Sequence, residues 1–241
     1  MFKRLIVFVA ILVGLLALAD RGLAVVAGNA TAHQIRLHEG LREDPDVTFR
    51  GFPFLTQAVR GKFQRVEVTV RDLEREGLVI DRIDATLEGV EVDIGDALQG
   101  RVSAVPVEEG EATMRLTYGD LTSYLSRKPG NIRVVVRDGQ PYVVSTFGVP
   151  GVGQVDVEGT PTVRTTATSV RVTVSRVRVV VGTATLSGSL AASAAARASF
   201  TIPLEELPFG IEVTGARLTD AGIEIDATAE GLVIDVKDNV R

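Results

Sequence analysis

Apolar residues recur at every second position through much of this chain, and that period commits most of it to β-sheet. Val66, Val68 and Val70 alternate with Glu67, Thr69 and Arg71. The same alternation runs through Ile83-Ala85-Leu87, Val90-Val92-Ile94, Val170-Val172-Val174 and Ile223-Ile225-Ala227. Successive side chains of a strand point to opposite faces, so each segment reads as a strand with one buried and one wetted face. Residues 131–136 and 142–146 flank Arg137-Asp138-Gly139-Gln140-Pro141, which reads as a hairpin about an Asp-Gly turn. Val177, Val179 and Val181 continue a strand that Gly182 breaks. Strand spacing returns over residues 200–235, interrupted by the turn Leu218-Thr219-Asp220-Ala221-Gly222.

A helical period appears near the start. Leu23, Ala27, Ala30, Gln34, Leu37 and Leu41 fall at three- and four-residue spacing, which predicts an amphipathic helix from about residue 20 to 43. Asp44-Pro45 ends it, because the residue before proline is pushed out of the helical region. A second, short helix is expected over residues 118–127, closed by Pro129-Gly130. Residues 187–198 are rich in alanine and read as helix or loop. The pattern is α+β. No Pro- or Ser-rich linker interrupts residues 20–241, so they are expected to form a single domain.

The first nineteen residues are of another kind. Lys3-Arg4 precedes residues 5–19, fifteen in a row without a charge, and Ala17-Leu18-Ala19 gives the small-x-small pattern of a signal-peptidase site before Asp20. Read as a cleaved signal or as an uncleaved signal-anchor, the segment puts the rest of the chain outside the cytoplasmic membrane. The expected location is a periplasm-like space of the cell envelope. The formal net charge is −5, and −7 once Lys3 and Arg4 are set aside. A mildly acidic chain with no basic cluster argues against nucleic acid as a partner. Lysine occurs only at Lys3, Lys62, Lys128 and Lys237, and an Arg-, Val-, Ala- and Gly-rich chain of this kind points to a GC-rich genome such as an actinobacterial one.

No catalytic set can be assembled. There is no cysteine, hence no disulfide, zinc-thiolate site or thiol nucleophile. His33 and His38 are five apart, roughly 140° around a helix, and cannot share a metal as an i, i+4 pair would. Gly151-Val152-Gly153-Gln154-Val155-Asp156 lacks the third glycine of a dinucleotide fingerprint. Glu91-Val92-Asp93-Ile94-Gly95-Asp96 offers carboxylates, but alternation puts Glu91, Asp93 and Gly95 on the solvent face of a strand. Asp81 and Asp84 can be posed as an acid/base pair only if their separation and pKa values were known. No metal, no cofactor and no enzymatic activity are expected.

The informative residues are apolar ones in corners. Gly51-Phe52-Pro53-Phe54-Leu55-Thr56-Gln57 packs three bulky apolar side chains around a proline, where turn chemistry predicts polar residues. Leu207-Pro208-Phe209-Gly210-Ile211 does the same near the C-terminus. Two readings stand. The aromatics plug the ends of a β core, or Phe52, Phe54, Leu55 and Phe209 line the mouth of an apolar cavity. In the second reading Arg60 and Lys62, flanking Gly61, are placed to meet a lipid phosphate.

The same segments carry a family resemblance. An apolar signal, then Asp20-Arg21 opening a helix, Pro45-Asp46-Val47 leading to the Gly51–Gln57 heptapeptide, and Gly61 ahead of Val66-Glu67-Val68 make the first half of it. Leu207-Pro208-Phe209-Gly210-Ile211 followed by Leu218-Thr219-Asp220-Ala221-Gly222-Ile223 makes the second. In this order they resemble the actinobacterial LmeA-like phospholipid-binding family. The resemblance implies a tubular-lipid-binding-like fold, with a long N-terminal helix packed in a strongly curved antiparallel sheet. It also implies an exported or membrane-tethered envelope protein that binds phospholipid, phosphatidylinositol in the mycobacterial case. The implied partners are that lipid, the outer face of the cytoplasmic membrane and envelope glycosyltransferase machinery. A scaffold that carries no lipid and recruits a biosynthetic enzyme is the alternative.

Overall fold

The computed structural model describes residues 2–75, 77–99, 101–128, 131–149, 153–181, 184–186, 189–204 and 212–235. It is α+β, a long N-terminal helix with two antiparallel sheets, in agreement with the pattern read from the sequence. The helix, α1, spans Phe2–Glu39 without interruption. The helix expected from about residue 20 thus begins much earlier, because residues 5–19 contain no proline and continue the same backbone.

The remaining elements follow in chain order: β1 (Asp46–Arg50), α2 (Phe54–Arg60), β2 (Lys62–Arg75), β3 (Leu78–Glu91), α3 (Ile94–Leu98), β4 (Ala104–Thr117) and α4 (Tyr118–Ser126). Then come β5 (Arg133–Arg137), β6 (Gln140–Val149), β7 (Gly153–Thr166), β8 (Ser169–Val181), β9 (Ala184–Leu186), α5 (Ser189–Ala198), β10 (Phe200–Pro203), β11 (Glu212–Leu218) and β12 (Gly222–Asp235). One sheet has the order β1-β2-β3-β4-β12-β11; the other is β10-β8-β7-β6-β5, with β9 on β8. Two compact units divide the chain: Met1–Val70, Asp84–Ala112 and Ala229–Arg241 form the first, Arg71–Ile83 and Thr113–Thr228 the second.

In the first unit α1 lies on β1. The stripe it turns inward is Asp20, Ala24 and Ala32, with Ala27 and Ile35 half-buried. This corrects the expected stripe: Leu23 and Leu37 are 45% and 58% exposed. The reason is close approach. A Cβ on Gly28 would sit 2.4 Å from the Val47 carbonyl oxygen, so small residues face the strand and leucines cannot. β1 then pairs with β2 in the register Val47↔Val68 and Phe49↔Val66. Phe49, Phe54 and Phe63 form an aromatic cluster with ring centroids 4.9–6.0 Å apart. The carboxylates of residues 91–96 also differ from expectation. β3 stops at Glu91, and Asp93 caps α3 by accepting the Asp96 N–H at 2.9 Å.

The second unit holds the larger core. Val170, Val172 and Val174 of β8 are buried while Arg171, Thr173 and Ser175 face solvent, as the alternation predicts. Ile223, Ile225 and Ala227 of β12 are buried in the same cluster, with Leu121 and Leu125 of α4 and Ala194 and Ala198 of α5. The β5–β6 hairpin turns at Asp138-Gly139, both at positive φ. Thr117 caps α4, and Tyr118 directly after it donates its hydroxyl to the Thr219 carbonyl at 2.7 Å. Burial, reinforced by Asp220, pushes the Tyr118 phenol up to about 12.

Candidate functional site

The heptapeptide expected to form a turn opens helix α2 instead. Pro53 occupies the N-cap with φ −76° and ψ 141°, and it carries no side-chain acceptor for the first free N–H groups of the helix. Asp20 supplies what Pro53 lacks. Its Oδ2 accepts the Phe54 N–H and its Oδ1 the Leu55 N–H, each at 2.9 Å. Asp20 is only 3% exposed, and its charge is met by Arg21 at 3.0 Å as well as by the two amides. Arg21 also donates to the Gly51 carbonyl and lies 5.6 Å from the centre of the Phe52 ring.

Two further bonds fix the other side of α2. Buried Gln57 donates to the Arg50 carbonyl at 3.3 Å and accepts the Gln64 N–H at 2.8 Å. Gly61 ends the helix in the left-handed conformation, φ 66°, and its carbonyl accepts the Val92 N–H at 2.7 Å.

Held this way, α2 presents two unlike faces. Phe54 turns inward and is 5% exposed, packed on Phe49 and Phe63. The reading in which Phe54 lies at an apolar edge is thereby corrected: the first helical turn directs it into the aromatic cluster. Phe52, Leu55 and Val59 are 62%, 46% and 81% exposed, and Leu55 and Val59, four apart, share one face. Leu55, Thr56, Val59 and Arg60 line an open depression of about 310 Å³. Phe209 and the whole second corner, residues 207–211, lie outside the described residues.

The cations around α2 are not equivalent. Arg50 pairs with Glu67 at 2.8 Å, and Arg65 donates to Glu88 at 3.0 Å. Lys62 pairs with Glu91 at 2.7 Å and Glu108 at 3.2 Å; hydrogen bonds to those carboxylates, Glu91 foremost, raise its pKa. Arg60 makes no hydrogen bond or ion pair among the described residues and is exposed. Of the two cations expected at a head group, Arg60 is free and Lys62 is engaged.

Elsewhere, Asp81 is held by Arg115 at 2.9 Å and Asp84 by the Thr69 hydroxyl at 2.7 Å. His33 and His38 are exposed on α1, His38 against the Gln34 carbonyl. No group of three or more His, Cys, Asp or Glu that could hold a metal occurs among the described residues. Sequence reasoning missed Asp20, Gln57 and Val59. One signal was available: Pro53 cannot cap the helix that follows, so an acceptor had to come from elsewhere in the chain.

No curated protein and no solved structure matches the chain. A family model, described as LmeA-like phospholipid-binding, matches residues 18–228. That stretch runs from just before the Asp20 carboxylate to the last strand and includes all of α2, and the chain belongs to the LmeA-like phospholipid-binding family.

Proposed function

We propose that this is an exported cell-envelope protein that binds a phospholipid at α2, with Arg60 meeting the phosphate and Leu55 and Val59 meeting the apolar part of the lipid. The observation that carries the reading is the pairing of an unengaged arginine with an open apolar depression, on a chain of a phospholipid-binding family. Burying acyl chain gains about 0.8 kcal/mol per CH₂, so affinity needs no catalytic group. Phe52 borders α2 outside the depression, and Lys62 reaches a head group only by giving up Glu91 and Glu108. Binding without turnover is part of the proposal, as is support of envelope lipid or lipoglycan metabolism. The basic Lys3-Arg4 pair ahead of an apolar helix supports export, cleaved or anchored.

The test is mass spectrometry of lipid extracted from the purified chain, compared with Arg60→Ser and Leu55→Ser variants. Stoichiometric phospholipid that falls several-fold in both variants is the expected result. A lipid-free native protein overturns the proposal, and so does hydrolysis product from labelled phospholipid where binding alone is claimed. Fractionation of the native host should recover the protein from the envelope; a soluble cytoplasmic pool with Met1 intact overturns export.

A further inference from the structure

We propose that the outward face of α2 lies in the interfacial layer of the bilayer that α1 enters, so that the depression opens onto membrane lipid. The occupant of this face is the outer leaflet itself. The inference rests on the anchored form of the exported reading above and adds to it where the lipid comes from.

Three observations in the first unit support it. First, the apolar side chains of α1 between residues 11 and 18 are uncovered among the described residues. Ile11, Leu12, Val13, Leu15, Leu16 and Leu18 are 45–71% exposed, and the helix over Ala10–Glu39 reaches a mean hydropathy of 2.0. From Phe2 to Ala19 the helix rises roughly 27 Å, close to the ~30 Å of a hydrocarbon core.

Second, Asp20 ends that run and is the residue that holds α2. Both of its oxygens bond the first turn of α2, and Arg21 contacts Phe52. Phe52 and Leu55 therefore sit within one side chain of the point where the apolar run stops. Asp20 is fully answered by two amides and an arginine, so it presents no bare charge to that boundary.

Third, the composition of the face matches a lipid surface. Phe52, Leu55 and Val59 point outward, and Leu23, Val25 and Val26 continue an exposed apolar surface on α1. Residues 47–66 contain no acid in a chain with 31 of them. Arg60, which has no ion pair among the described residues, borders the depression, as an interfacial arginine meets phosphate while its neighbours enter the acyl boundary.

The chain has no tryptophan, which makes a single introduced one an unambiguous reporter. The full chain carrying Phe52→Trp is reconstituted into phosphatidylcholine/phosphatidylglycerol vesicles with brominated acyl chains, and compared with the same protein in detergent with one equivalent of brominated phospholipid. Phe52 lies outside the depression, so its replacement reports on the bilayer. A Val59→Trp variant reports on lipid in the depression, in either setting. A Leu37→Trp control lies roughly 25 Å further along α1 than Asp20.

The expected result is that the Phe52→Trp protein loses roughly half its fluorescence in vesicles, keeps it in detergent, and shifts to the blue on vesicle insertion, while the Leu37→Trp control is unaffected. Three outcomes overturn the inference: no quenching of the Phe52→Trp protein in vesicles, equal quenching of the Leu37→Trp control, or quenching of the Phe52→Trp protein by one equivalent of lipid in detergent. Quenching in the Val59→Trp variant alone leaves phospholipid binding standing without membrane docking. Quenching of the Phe52→Trp protein in vesicles, with the Val59→Trp variant silent in detergent, does the reverse.

Discussion

Asp20 and Leu55 are joined by a 2.9 Å hydrogen bond from the Leu55 amide to the Asp20 carboxylate, across thirty-five residues of sequence. The bond has a twin at Phe54. Together they make the first turn of α2 depend on a residue of α1. Asp20→Ala leaves two amides without an acceptor, and hydrogen exchange at Phe54 and Leu55 should rise roughly tenfold or more. Asp20→Asn retains one oxygen and should fall between. Unchanged protection in the alanine variant would show that α2 is capped by water.

Phe54 and Leu55 are neighbours with opposite fates, and paired substitutions should separate fold from binding. Phe54→Ala removes a ring packed on Phe49 and Phe63 and should cost about 3–5 kcal/mol in denaturant unfolding. Leu55→Ser and Val59→Ser lie on the exposed face and should change stability by under ~1 kcal/mol while bound lipid falls. If the Phe54 variant keeps the native midpoint, the aromatic cluster is not a core.

Gln57 is buried and joins β1 to β2 through the Arg50 carbonyl and the Gln64 amide. Gln57→Leu keeps the volume and removes both partners, so a loss of about 1–3 kcal/mol is expected, with the depression on the other face of α2 intact. Lipid loading of the folded fraction should match the native protein.

Tyr118 supplies the pH prediction. Its folded pKa, about 12, is above the ordinary 10.0, so the neutral phenol is the form the fold favours. Its contribution is complete below pH 10 and is lost as pH rises through about 12. Ultraviolet titration should show a tyrosine step near pH 12, and Tyr118→Phe should remove it. A Tyr118→Phe variant that leaves the titration above pH 10 unchanged contradicts the burial.

Local patterns carried the elements that neighbouring residues determine. The Val170-Val172-Val174 alternation, the Asp138-Gly139 hairpin and the helix beginning at Tyr118 were all legible, because period and turn chemistry are short-range. The heptapeptide was recognised as unusual, yet its conformation was not legible. α2 exists through an acceptor thirty-four residues upstream of Phe54, and no window of sequence contains both. The same holds for the direction of α1: Leu23 looked like core until the approach of Gly28 to Val47 showed which side carries the small residues. Arg60 and Lys62 were indistinguishable as letters, and Glu91 and Glu108 make the difference.

The division of the chain also has a consequence in time. The first unit takes residues Met1–Val70 and Asp84–Ala112, and then waits for Ala229–Arg241. Strand β12, the last of the described strands, must reach its place beside β4 before the sheet is whole. A chain leaving the ribosome thus begins this unit early and completes it only after residues 113–228 of the second unit have been made. Its β4 edge stays open throughout that interval, which is when strand edges are most prone to wrong pairing. Removing the last strand should therefore harm the part of the protein synthesised first.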